Sequence, residues 1–348
     1  MAVFSMRDFD GHEQIIFASD PETGLRAIIA IHDTSRGPAL GGCRMWDYAS
    51  EDLAVEDALR LSRGMTYKNA LADLPFGGGK SVIIGNARTA KTPGLMAAMG
   101  RAVDRLAGRY IIAEDVGTSV DDMAVIRGVT RHVAGLRDGS GDPSPATARG
   151  VFVGIKAAVQ HRLRRNSLDG LRVSVQGLGH VGWELCRQLA AEGARLSVSD
   201  IRTEAVERAV VSFGATPVEA ERIFDVDADV FAPCALGAVI DDGTLPRLRA
   251  AIVAGSANNQ LAEARHGAEL ARRGILYAPD FVINGGGVIN ISHEAGANGY
   301  DRAAAFAHVD RIHDILLDIF KRADAEGVPT NLAADRIAEE RFRPSGIS

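Results

Sequence analysis

Residues 171–200 read LRVSVQGLGHVGWELCRQLAAEGARLSVSD, and the order of features in that stretch decides the fold. An apolar run of strand length, Leu171 to Gln176, leads into Gly177-Leu178-Gly179-His180-Val181-Gly182, which opens a helical pattern reaching Glu192. A second strand, Arg195 to Ser199, ends at Asp200. The first glycine permits a tight turn, the second lets backbone approach a pyrophosphate, and the third lets helix and strand pack closely. The amino end of the helix attracts phosphates. An acid closing the second strand suits the two hydroxyls of a ribose and repels a 2′-phosphate, which favours NAD over NADP. Arg202, two residues on, works against that repulsion. Glycine triplets at this spacing arise by chance, but strand, helix and acid together mark a Rossmann-type doubly wound sheet.

Working outward, a helix is predicted over Thr203 to Phe213, and short strands recur at Asp229–Ala232, Ala251–Ala254 and Ile275–Tyr277. Upstream, a helix spans Thr147 to Leu163, preceded by RDGSGDPSP from Arg137 to Pro145, the densest turn-forming run and the candidate hinge. Before it lie strands at Leu25–His32, Lys80–Gly85 and Arg109–Ala113 and a helix over Glu51–Asn69; Ser119 is placed to cap a further helix. Strands separated by helix-length segments predict parallel sheets covered on both faces. The expected fold is therefore α/β, with two domains flanking a cleft where a small molecule binds. The first domain is assigned 1–134 plus 326–348, with a C-terminal helix near Asn331 to Arg341, and the dinucleotide domain 135–325. The Ala-rich segment Asp301–Ala325 is read as one helix, for packing or for the hinge.

A chain of 348 residues fits two domains at roughly 150 residues each. With 46% apolar and 24% charged residues it has the balance of a globular protein. A net charge of −6 argues against a nucleic-acid or polybasic membrane binder. Cys43, Cys186 and Cys234 are scattered and odd in number, which points away from disulfides and toward a reducing compartment. The start of the chain lacks a signal-peptide pattern, and no apolar run is long enough to span a membrane, so a cytoplasmic location is expected. The histidines form no ligand spacing, so no metal is expected. Cys234 is read as packing rather than as a nucleophile.

A second glycine cluster carries candidate chemistry. Gly64-Met-Thr-Tyr-Lys68 is followed by Phe76-Gly-Gly-Gly-Lys80-Ser and the apolar run SVIIG. Lys80 lies between glycines and a strand, where its stem is drawn inward. Ala113-Glu-Asp115 puts an acid just past a strand's carboxyl end, where sites of α/β sheets collect. Two lysines and one carboxylate, if they converge, suit an anionic substrate and proton transfer.

The segments GPALGGCRMW, RLSRGMTYKNA, FGGGKSVIIG, AEDVGT, GSANNQL and YAPDFVINGGGVIN resemble the motifs of the glutamate/leucine/phenylalanine/valine dehydrogenase family, over about residues 10 to 342. The resemblance implies reversible NAD-dependent oxidative deamination of an L-amino acid to a 2-oxo acid and ammonia. It assigns Lys68 to the substrate carboxylate, helped by backbone at Gly41 and Gly42. Lys80 would activate the water that attacks the imine, and Asp115 would move protons to and from the amino group. Asn259 would touch substrate and cofactor, Thr147 the nicotinamide amide, and Ala235 and Leu236 the cofactor's ribose. Ile201, Ala257 and Asn258 complete the implied cofactor set. The resemblance also implies a homo-oligomer associating through the first domain.

The implied side-chain pocket is Leu40, Ala113, Val288 and Ile291, closest to the leucine dehydrogenases. An alanine methyl beside aliphatic walls makes a short slot suited to leucine, valine or isoleucine. None of the four is a cation, so a glutamate carboxylate would be buried unpaired. GGCRM, FGGGKS and NGGG also resemble phenylalanine-dehydrogenase spellings, and an aromatic L-amino acid is the alternative substrate. A nucleotide-binding sensor without turnover is the remote alternative, against which Lys68, Lys80 and Asp115 stand.

Overall fold

The computed structural model describes residues 2–136, 139–295 and 299–343. Arg137 and Asp138 of the turn-rich run, residues 296–298, and residues 344–348 of the terminal RFRPSGIS lie outside the described residues. The fold is α/β and built on two sheets, one of them wholly parallel. The chain divides into two compact units.

The first unit is Met1–Asp142, Ile291–Asp301 and Ala338–Ser348. Its elements are β1 (Gln14–Asp20), β2 (Leu25–Asp33), β3 (Ala39–Trp46), α1 (Glu51–Leu71), β4 (Gly77–Ile84), α2 (Pro93–Asp104), β5 (Tyr110–Glu114) and α3 (Val120–Arg127). The five strands are ordered β1-β2-β4-β3-β5. This sheet corrects the expectation of parallel strands throughout. β1 and β2 are antiparallel, and so are β2 and β4; only β3, β4 and β5 run parallel. The turn between Asp20 and Leu25 is too short for a crossover, so it can join only an antiparallel pair. β1, α2 and β3 are further elements without a counterpart among the expected ones; the apolar run of β3 is diluted by Gly41 and Gly42.

Helix α1 starts where Ser50 accepts the Leu53 amide, with Glu51 and Asp52 in its first turn complementing the helix dipole. Its buried residues Ala54, Val55, Ala58 and Leu59 pack with Ile28, Ala30 and Val82 of the sheet. The other sheet face packs Ile29, Ile31, Ile83 and Ile112 against Met96, Met99, Met123 and Ile126 of α2 and α3. Each such aliphatic side chain stabilises the fold by roughly 1.5–3 kcal/mol. A strand covered on both sides reads as an unbroken apolar run, which is why LRAIIAIH stood out.

The second unit is Pro143–Asn290 and Arg302–Ile337. It runs α4 (Ser144–Leu163), β6 (Arg172–Gln176), α5 (His180–Ala191), β7 (Arg195–Ser199), α6 (Thr203–Phe213), β8 (Thr216–Pro217), β9 (Val230–Pro233) and β10 (Ile252–Val253). Then come α7 (Arg265–Arg272), β11 (Leu276–Tyr277), α8 (Asp280–Ile283), α9 (Gly286–Ser292), α10 (Arg302–Asp310), α11 (Ile312–Glu326) and α12 (Thr330–Phe342), the last residues of α9 and α12 being counted in the first unit. The strands are ordered β11-β10-β9-β6-β7-β8. From β6 the chain builds one half of the sheet outward, then returns at β9 to build the other, so the topology reverses between β6 and β9. The helix expected over Asp301–Ala325 is two helices, interrupted at Arg311. The units divide after Asp142, Asn290, Asp301 and Ile337 rather than after residues 134 and 325.

Candidate active site

Lys80 lies inside β4 with only 6% of its surface exposed. Its Nζ is 2.7 Å from Oδ2 of Asp115, which follows the last residue of β5. The approach depends on Gly42 in the strand between them. A Cβ there would stand 2.8 Å from Asp115 Cβ and 3.1 Å from Lys80 Nζ. Gly42 is paired with Ala113 and has room for hydrogen alone. A Cβ on Gly41 would run into the Gly79 carbonyl, and one on Gly78 into Thr66 of α1. The glycines of GPALGG and FGGGK are thus spaces through which strands, helix and charged side chains meet.

Arg44 of β3, which the sequence reading gave no role, donates from Nε to the same Asp115 Oδ2 at 3.2 Å. From Nη1 it donates to Asp57 Oδ2 at 2.9 Å. Asp57, on α1, also accepts the Tyr48 hydroxyl at 2.6 Å and Arg60 Nη2 at 2.7 Å. Burial alone pushes the Asp115 carboxyl up, but Lys80 and Arg44 outweigh it and hold the group down to about 2. Before substrate binds, Asp115 is therefore held as a carboxylate. Its turn is fixed as well: Thr118 Oγ1 accepts the Asp115 amide at 3.0 Å and donates to the Cys43 carbonyl at 2.8 Å. The signal for Arg44 was present, as a lone charge inside the apolar strand ALGGCRMW.

Lys68 is half-buried in the last turn of α1, the helix that packs on β4. Leu40 sits beside Ile111 across the β3–β5 pair, on the sheet face shared with Gly42 and Ala113. With Phe76, Ala134 and Ile291 it lines a cavity of about 190 Å³. Ala113 is buried nearby in β5, and Val288 precedes Ile291 by one turn of α9. Arg131, His132 and Glu294 also line that cavity, so its wall is less apolar than the four residues named from sequence. Glu294 accepts the amides of Gly135 at 2.8 Å and Ser140 at 2.6 Å.

In the second unit the carboxyl ends of β6, β7, β9 and β10 carry the other expected residues except Thr147, which is on α4. Gly177 has φ of +97° and lies at the β6/β9 switch point, where a Cβ would meet that of Ala235 at 2.8 Å. Gly182 packs on the Gly177 carbonyl, leaving no room for a side chain. Gly179 caps α5 without a side-chain hydrogen bond and faces open space, so no side chain of its own crowds the amino end of the helix. Leu178 is buried; Val181 is half-buried; His180, Ile201, Ala235 and Leu236 are exposed. Two large apolar side chains left in water, Ile201 at 94% and Leu236 at 79%, border this cradle. Asp200 accepts the Leu178 amide at 2.6 Å and the Arg202 amide at 2.8 Å. Burial pushes it up, but Arg202 and these amides hold it below the usual carboxylate range.

Ala257 is buried after β10 while Asn258 and Asn259 are exposed, and the Asn258 amide oxygen accepts Asn284 Nδ2 at 2.7 Å. Thr147 Oγ1 donates to the Pro143 carbonyl at 3.0 Å and lies against Gly287 of α9. A helix amino end, a glycine turn, a strand-end acid and exposed apolar flanks fit a dinucleotide. Burial raises the Cys234 thiol, which makes it a poor nucleophile. Among the described residues no group of three His, Cys, Asp or Glu side chains is placed to hold a metal, and no helix is long and apolar enough to cross a membrane.

The chain is also similar to known proteins. Residues 12–132 match the Glu/Leu/Phe/Val dehydrogenase dimerisation domain, and residues 139–206 and 196–334 match the Glutamate/Leucine/Phenylalanine/Valine dehydrogenase domain. Leucine dehydrogenase of Thermoactinomyces intermedius is 54% identical, over 98% of this chain and 94% of its own. Phenylalanine dehydrogenase of Bacillus thermotolerans is 46% identical, over 96% of this chain and 89% of its own. The crystal structure of L-tryptophan dehydrogenase from Nostoc punctiforme superposes with a TM-score of 0.85 at 49% identity, covering 96% of each chain. With a lysine–carboxylate pair in one unit, a dinucleotide cradle in the other and family matches along nearly its whole length, the chain belongs to the Glu/Leu/Phe/Val dehydrogenases, enzymes acting on small amino acids.

Proposed function

We propose that the protein is an NAD-dependent dehydrogenase of branched-chain L-amino acids, of which L-leucine is the model substrate. The observation that carries the reaction is the buried Lys80–Asp115 pair, 2.7 Å apart. Lys68 binds the substrate carboxylate with backbone at Gly41 and Gly42. Asp115, held ionised, pairs with the substrate ammonium group and takes its proton, because Cα gives up hydride only when the nitrogen is neutral. The chemistry supplied by bound NAD is acceptance of that hydride. Lys80 as the free amine takes one proton from the water that adds to the iminium carbon and returns it to nitrogen; as ammonia leaves, the hydroxyl proton passes to Lys80 and the C=O bond forms. Asn259 touches substrate and cofactor, and Thr147 the nicotinamide amide. Gly177 to Gly182, Asp200, Ile201, Ala235, Leu236, Ala257 and Asn258 hold the rest of the cofactor.

The aliphatic set Leu40, Ala113, Val288 and Ile291 supports leucine, valine or isoleucine, as does the 54% identity to a leucine dehydrogenase. The cavity beside Leu40 and the similarity to a tryptophan dehydrogenase favour an aromatic L-amino acid as the second reading. Methylene-sized differences discriminate by only about 1–3 kcal/mol, so a panel decides. Initial rates with L-leucine, L-valine, L-isoleucine, L-phenylalanine and L-tryptophan, each with NAD and NADP, are expected to be highest for an aliphatic substrate with NAD. A higher kcat/KM for an aromatic substrate overturns the substrate assignment, and equal use of NADP overturns the cofactor assignment. A working homo-oligomer formed through the first unit is part of the same proposal.

A further inference from the structure

The sequence reading named one acid and two lysines, yet the structure puts a third cation on the reacting carboxylate. Lys80 Nζ and Arg44 Nε approach the same oxygen of Asp115, at 2.7 and 3.2 Å. Two cations about 6 Å apart at most repel each other strongly where water is scarce. The arrangement persists because Asp115 lies between them and Asp57 holds the far side of the Arg44 guanidinium at 2.9 Å. Asp57 is in turn fixed by Tyr48 and Arg60. The result is an alternating row: Lys80, Asp115, Arg44, Asp57, Arg60.

We infer that Arg44 is a positioning residue for the deamination: braced by Asp57, it holds the Asp115 carboxylate in place beside Lys80, ready for the substrate nitrogen. This deepens the function proposed above and rests on its roles for Lys80 and Asp115. Arg44 is, with Lys80, one of the two cations that keep Asp115 ionised against the pull of burial. It also holds the carboxylate in one orientation while a substrate nitrogen takes over as its partner, and orientation of that kind is a large part of a catalytic rate. Asp57 has the opposite effect, because its negative charge tempers Arg44.

Other charges face the cluster from every neighbouring element. Glu114 adjoins Asp115 at the end of β5 and interacts with it. α3 presents Asp122, which is neutralised by Lys91 at 2.7 Å. α1 carries Lys68 besides Asp57 and Arg60. Cys43 and Tyr110 are buried beside the cluster, where desolvation raises both, Cys43 to about 12, and they stay uncharged. Arg44 and Asp57 are the pair of this set whose removal changes the charge next to Asp115 in opposite senses.

The test is the pH dependence of kcat/KM for L-leucine with NAD in wild type, Arg44→Met, Arg44→Lys and Asp57→Asn, with folding followed by thermal melting. Arg44→Met is expected to move the acidic limb to higher pH by about one unit and to lower kcat/KM by about tenfold to a hundredfold. Asp57→Asn moves the limb the other way by less. Arg44→Lys keeps the limb near wild type while losing part of the rate, since it keeps the charge but not the two-sided grip. A second readout needs no turnover: trinitrobenzenesulfonate labelling of Lys80, followed by peptide mass spectrometry, rises in Arg44→Met and by less in Asp57→Asn, where Asp115 is free to turn away from Lys80. If Arg44→Met does not fold, Arg44→Lys and Asp57→Asn carry the test through both readouts. A merely structural ion pair would lower melting temperature and leave both the pH profile and the labelling unchanged, and that result overturns the inference. If wild type turns over no amino acid, the proposed function fails while the labelling still decides the role of Arg44.

Discussion

The two chemical regions of this molecule are built by opposite means. The cradle in the second unit is mostly backbone: helix amides, a glycine turn and one strand-end acid, all within residues 177–200. The cluster in the first unit is side chain against side chain, drawn from β3, β4, the end of β5 and α1. Backbone sites tolerate variation in side chains and fail when a Cβ fills the space. Side-chain clusters fail when any one charge is lost, because the remainder are left buried and unbalanced.

Removing Lys80 should have the largest effect. Lys80→Ala is expected to lower kcat by about 10²–10⁴-fold with a smaller change in substrate binding. Lys68→Ala should raise KM steeply instead, because its charge serves substrate and transition state alike. Near-wild-type kcat for Lys80→Ala in steady-state kinetics would break the mechanism while leaving the family intact.

Gly42→Ala tests whether the cluster depends on an empty space. The added methyl pushes Lys80 and Asp115 apart, and kcat/KM should drop by about tenfold to a hundredfold. Gly179→Ala in the other unit has open space around it. It should keep the melting temperature and alter only cofactor affinity. Equal kinetic damage from the two glycines would erase the contrast between the regions.

Acid should distinguish the units next. His32 is 2% exposed, stacked edge-on to His12 with ring centroids 4.8 Å apart, and bonded to Thr66 of α1 at 2.8 Å. Burial, and then repulsion from His12, bring His32 from 6.5 down to about 4. Between those values the unfolded chain binds more protons, so this contribution is complete above about pH 6.5 and is lost as pH falls toward 4. Acidification from about pH 7 to 5 should cost on the order of 1–2 kcal/mol. Hydrogen exchange should quicken in β2 and α1 while β6 and β9 stay protected, and His32→Gln should flatten the response. Loss of protection in the second unit first would contradict this assignment.

The smallest change is expected from Asp200→Ala. NAD binding should weaken several-fold, about 1 kcal/mol, and the gap to NADP should narrow as the ribose acceptor and the repulsive charge disappear together. Titrating both cofactors by fluorescence measures it. An unchanged NADP affinity would assign the discrimination to some other group.

The cradle was legible before any coordinates because its parts are local. A strand, three spaced glycines, a helix and an acid follow one another within thirty residues, and backbone geometry turns that order directly into shape. α6 and β7 were read residue for residue for the same reason. The sequence could not disclose the antiparallel entry of β1 and β2, the interruption at Arg311, or the cavity wall of Arg131, His132 and Glu294. Strand order and cavity walls depend on pairings between residues far apart in the chain. Lys68, Lys80 and Asp115 were suspected from residue type and resemblance, but spacing along the chain carries no distance between strands. Only the tertiary structure could decide that Arg44 and Asp57 join Lys80 and Asp115, since charges from four elements meet there and a buried charge takes its character from its neighbours.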